Sequence, residues 1–128
     1  MYGVMMIRKI LIYEADLEKR EKLAKYIRAH LSAMGLLHIQ FHFFVPHDVY
    51  DMPDNLIAEA VWASFFTIEC KNDADAAQMF GKTYSDIPLV VVSNTAEYGL
   101  ASWGWGTRFY LKRPFMDSEL RTALAKCF

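Results

Sequence analysis

The segment IPLVVV, Ile87 to Val92, is an unbroken apolar run rich in β-branched residues, bounded by Asp86 and Ser93 and too short for a buried helix. It reads as a strand covered on both faces, and such strands belong to parallel sheets with helices layered above and below. IRKILIY, Ile7 to Tyr13, ends in a similar run. In LLHIQFHFFV, Leu36 to Val45, the apolar Leu37, Ile39, Phe41 and Phe43 alternate with His38, Gln40 and His42, the pattern of an edge strand with a less buried outer face. Ala63 to Ile68 (ASFFTI) and Thr107 to Lys112 (TRFYLK) complete a set of five expected strands.

Helical patterns separate them. Asp16 is placed to cap LEKREKLAKYIRAHLSAM, where Leu17, Leu23, Ile27, Leu31 and Met34 recur near helical spacing before Gly35 stops the run. After Pro46 and the DMPDN turn, LIAEAV (Leu56 to Val61) reads as a short helix. Further helices are expected from Asp73 to about Thr83, within Ala96 to Trp103 before the glycines of WGWG, and from Asp117 to Phe128 with Asp117 or Ser118 as cap. Five strands alternating with five helical patterns, without a linker or a repeat, predict one α/β domain over 1–128 with a doubly wound parallel sheet.

The bulk chemistry narrows the function. With 54% hydrophobic and 15% aromatic residues, 128 residues suffice for a single core. A formal charge of −1, from 14 basic and 15 acidic residues, gives no field that would draw nucleic acid or an anionic membrane. Cys70 and Cys127 form no metal or redox motif and read as bystander thiols of a reducing cytoplasm. The opening MYGVMMI is too short for a secretion signal, and no apolar run is long enough to span a bilayer. There is no GxGxxG, no P-loop and no pairing of nucleophile with base, so the chain does not read as an enzyme. His30, His38, His42 and His47 fall on the first helix and around the second strand, and suggest no metal site.

In doubly wound sheets the crevice lies beyond the carboxyl ends of the central strands. That rule selects Glu14, Ala15 and Asp16 after strand one, Glu69 after strand three, Ser93 after strand four and Arg113 after strand five.

These strand ends resemble the receiver domains of two-component response regulators along nearly the whole chain. The last third, IPLVVVSNTAEYGLASWGWGTRFYLKRPFMDSELRTAL, is most similar to the receivers of LytTR-type transcription regulators. The resemblance implies a flavodoxin-like fold with strand order 2-1-3-4-5. It also implies an acidic pair after strand one that binds magnesium, a phospho-accepting Asp after strand three, a Ser or Thr after strand four and a Lys-Pro after strand five.

At three of these four places the present sequence departs. Glu14 matches the first acid of the pair, but Ala15 replaces the second, and a methyl group cannot ligate a metal. Asp16 follows, equally suited to capping the helix. Glu69 stands at the acceptor position with a carboxylate about 1.5 Å farther from the backbone than that of Asp, a displacement that in-line phosphoryl transfer tolerates poorly. A different register in CKNDADAAQ would bring Asp73 or Asp75 into the site; both also suit capping of the following helix. Ser93 keeps the hydroxyl, Tyr110 matches the switch aromatic, and Arg113 falls on the family's Lys before Pro114, where the peptide bond is commonly cis. Lys112, one residue earlier, should face away.

The combined reading is a degenerate receiver, a signalling module of a phosphorelay system that uses no cofactor and for which magnesium binding is doubtful. An ion pair between Glu69 and Arg113 is expected across the strand ends. Output would pass to a protein partner or an attached output domain, none of which lies within 1–128, and would affect transcription. The face built from Thr95–Trp105, Arg108–Lys112 and Asp117–Phe128 offers Trp103 and Trp105 as interface candidates and a surface for a homodimer, without direct nucleic-acid binding. Two other readings are a working receiver with Glu69, Asp73 or Asp75 as an unusual acceptor, and a small-molecule or nucleotide module on the same fold.

Overall fold

The structure, a computed structural model, describes residues 8–36, 38–44 and 61–127. Five parallel strands form one sheet: β1 (Arg8–Tyr13), β2 (Ile39–Phe44), β3 (Val61–Thr67), β4 (Leu89–Ser93) and β5 (Thr107–Lys112), in the order β2-β1-β3-β4-β5. This is the flavodoxin-like order expected above, with β2 at an edge. Four helices are described: α1 (Leu17–Ala33), α2 (Lys71–Thr83), the single-turn α3 (Gly99–Trp103) and α4 (Asp117–Cys127). None is long and apolar enough to cross a membrane.

The alternation of side chains along the buried strands divides the core into two layers. Ile10, Ile12, Phe65, Val90, Val92 and Leu111 pack with Leu23, Ile27 and Leu31 of α1 and with Leu120 and Leu124 of α4. On the opposite face Leu11, Tyr13, Phe66, Ile68 and Val91 pack with Ala74, Ala77 and Phe80 of α2 and with Trp105. Apolar burial on both faces explains why the strands read as continuous runs. Gly81 lets α2 approach closely, since a Cβ there would lie 2.0 Å from the Trp105 carbonyl oxygen.

Several boundaries differ from expectation for local reasons. Leu36 belongs to the end of α1, not to β2: Gly35 adopts φ 79°, its N–H bonds Ser32 O at 2.9 Å, and the Leu36 N–H bonds Leu31 O at 2.9 Å. The strand ladder in β4 begins at Leu89 because Pro88 has no N–H to give; its carbonyl instead accepts from Ser64 N at 2.8 Å. Val61 opens β3 and does not end a helix; the rest of the expected helix at 56–60 lies outside the described residues, as do the DMPDN turn, His47 and the opening MYGVMMI. Asp117 is already inside α4, so neither it nor Ser118 is the cap. Glu119 closes that end by accepting from Met116 N at 3.0 Å.

Candidate functional site

The carboxyl ends of β1, β3, β4 and β5 bring together most of the residues selected by position. The hydrogen-bonding ladder extends past the strands: Ile68 N donates to Val92 O at 2.8 Å and Arg113 N to Ser93 O at 2.7 Å. Glu14, Glu69 and Arg113 are thereby carried just past the strand ends and held around one corner.

Glu14 is buried, at 4% exposure. One of its carboxylate oxygens accepts from Asp16 N at 3.1 Å, and the other faces Arg113 Nη2 at 3.4 Å. Buried carboxylates need such partners, because desolvation of an uncompensated charge is costly. Glu69 is more open, with 43% of its side chain exposed, and pairs with Lys19 Nζ at 3.2 Å. Arg113 Nη1 lies 4.0 Å from Glu69. The expected contact between Glu69 and Arg113 is therefore present but is the longest of the three: the closer partner of Arg113 is Glu14, and that of Glu69 is Lys19. Lys112 is exposed and takes part in none of these pairs.

Lys19 was not singled out from the sequence. The available signal was its place three residues after the capping Asp16, in the first turn of the helix that leaves the acidic corner. Asp16 itself caps α1, accepting from Lys19 N at 2.9 Å through Oδ1. Ala15 is exposed and contributes no donor atom.

Ser93 is fully buried, and its hydroxyl donates to Ile68 O at 2.7 Å while accepting from Thr95 N at 3.3 Å. It ties the end of β3 to the loop after β4. The Tyr110 hydroxyl donates to Thr95 O, so the aromatic is folded onto that same loop. Arg113-Pro114 is cis. Asp73 accepts from the Tyr13 hydroxyl at 2.8 Å and from Glu69 N at 3.0 Å, which fixes the turn into α2. Asp75 pairs with Lys71 on the surface at 3.2 Å.

Magnesium requires near-octahedral oxygen ligation. Glu14 has both oxygens engaged, Ala15 supplies none, and Glu69 faces Lys19. Among the described residues no three His, Cys, Asp or Glu side chains gather as a metal-holding group. The donor set does not fit the ion; two protein cations, Lys19 and Arg113, lie against the two carboxylates instead.

The two tryptophans separate. Trp105 is 7% exposed and belongs to the core layer beneath α2, which removes it as an interface candidate. Trp103 is 62% exposed, and Leu100 on the same short helix is 91% exposed. Cys70 is exposed, whereas burial pushes the Cys127 thiol up to about 11.

No family model and no curated protein matches the sequence. Solved structures do. A response regulator receiver domain protein from Clostridium thermocellum aligns with TM-score 0.74 and 9% identity over 94% of each chain. A response regulator receiver protein from Pseudoalteromonas atlantica aligns with TM-score 0.72 and 12% identity, covering 93% of this chain and 95% of that one. The response regulatory domain of protein mrkE from Klebsiella pneumoniae gives TM-score 0.70 and 18% identity over 93% of each. With the strand order and these likenesses in agreement, the chain has the fold of the response-regulator receiver domains.

Proposed function

We propose that the protein is a receiver-type signalling module that works through protein contacts and without magnesium-dependent phosphorylation. The observation that supports this most directly is the pairing of Glu14 with Arg113 and of Glu69 with Lys19. In phosphoryl transfer to a carboxylate, a divalent cation neutralises the phosphoryl oxygens and holds them in line with the nucleophile. Here the carboxylates are already balanced by side chains of the chain itself, and the ligand position at Ala15 is empty of donor atoms.

The alternative acceptors are less well placed. Asp73 has both carboxylate oxygens in hydrogen bonds that fix the turn into α2, and Asp75 lies in a surface ion pair with Lys71. With the corner's charges paired within the chain, the module presents a fixed output face. Trp103 and Leu100 form the apolar part of that face, suited to a second copy, a separate protein or an attached output domain that acts on transcription in the cytoplasm.

Incubation with magnesium and acetyl phosphate, followed by intact mass measurement, tests the proposal. The mass is expected to stay that of the unmodified chain. A stoichiometric adduct that is stable to acid and labile to hydroxylamine would overturn it.

A further inference from the structure

Beside the acidic corner, between α1 and the turn after β5, lies a groove of about 610 Å³. Its size is within the range of small-molecule sites. Three cations line it, Lys19, Lys22 and Arg113, together with the Asn94 amide and the rings of Tyr26 and Phe115; no carboxylate is part of the wall.

The charges are not all used within the chain. Lys22 has no ion pair among the described residues and is exposed. Arg113 gives Nη2 to Glu14 at 3.4 Å, and its buried Nη1 lies 4.0 Å from Glu69 without a hydrogen bond. Guanidinium and ammonium groups on one wall are suited to an anionic oxygen, and phosphate is an anion that Arg and Lys together hold well. Glu14 and Glu69 pair with Arg113 and Lys19, so of the three cations Lys22 carries the charge that no carboxylate compensates among the described residues. Tyr26 and Phe115 add π-faces on which a planar ring can stack.

From this combination we infer that the groove binds a nucleoside monophosphate, with the phosphate on Lys22 and Arg113 and the base against Tyr26 and Phe115. Such a ligand site goes beyond the interaction module proposed above, and it holds whether or not Glu69 can be phosphorylated.

Calorimetric titration of the full chain with adenosine and guanosine monophosphates, adenosine alone and inorganic phosphate tests the site. At least one nucleotide should bind saturably, at least tenfold more tightly than either adenosine or phosphate, and less tightly as salt is raised. Lys22→Glu and Tyr26→Ala alter exposed side chains and should each weaken binding at least tenfold, with far-UV circular dichroism unchanged. The inference is overturned if neither nucleotide saturates, if inorganic phosphate binds as tightly as the nucleotide, or if both variants bind like the parent chain.

Discussion

Tyr13 and Glu14 are adjacent in sequence, yet they belong to regions built on different physics. Tyr13 closes the sheet interior, stacked on Phe66 with ring centroids 4.9 Å apart, and Phe66 in turn meets Phe80 at 5.0 Å. Glu14 opens the rim, where four charged side chains are set against one another by distance and direction. The interior is held by apolar area, which is non-directional and large in sum. The rim contributes far less to stability, but small displacements there decide which chemistry is possible. Drift at the rim is therefore compatible with an unchanged fold, in keeping with structural likeness at 9–18% identity.

Substitutions in the two regions should differ accordingly. The largest loss is expected from Phe66→Ala, which empties a fully buried ring site and should cost about 3–5 kcal/mol in urea denaturation. Next is Gly81→Ala, whose new methyl would collide with the Trp105 backbone and should cost about 1–3 kcal/mol; Gly99→Ala, with nothing within 4 Å, is the control and should cost less. Both probe the interior, and both should leave the rim's ion pairs in place.

At the rim, Arg113→Met leaves the buried Glu14 without its cation and should cost about 1–2 kcal/mol at neutral pH. Lys19→Met removes a pair that is more than 40% exposed on both sides and should cost less than about 1 kcal/mol. If Lys19→Met proved as damaging as Phe66→Ala, the distinction between interior and rim would fail.

A chemical comparison is smaller still. Cys70 is exposed, while Cys127 stays protonated because its thiol is pushed up to about 11, so very little of it is thiolate at pH 8. Iodoacetamide should modify Cys70 first, as read by peptide mass.

The same contrast explains what could be read from the sequence. The interior was legible because burial on two faces leaves continuous runs such as LVVV, and amphipathic spacing marks α1 and α4; strand order then followed from the receiver resemblance. The rim was legible only by position. Register along the chain pointed to Glu14, Ala15, Glu69 and Arg113, but not to which carboxylate each cation would reach, since that depends on side-chain direction from separate elements. Lys19 was missed because it arrives from the next helix turn. Trp103 and Trp105 look alike in WGWG, and only the closeness of Gly81 to Trp105 shows which one the core takes.

The central claim is that Lys19 and Arg113 stand where a receiver would need a metal ion. Titration of the isotope-labelled chain with manganese, a paramagnetic stand-in for magnesium, tests it residue by residue through amide signals. Saturable broadening centred on Ala15 and Glu69 at low manganese concentration would contradict the claim; the pairing of the carboxylates with protein cations predicts that these amides broaden no more than those of exposed acidic residues elsewhere, such as Asp75 and Glu97.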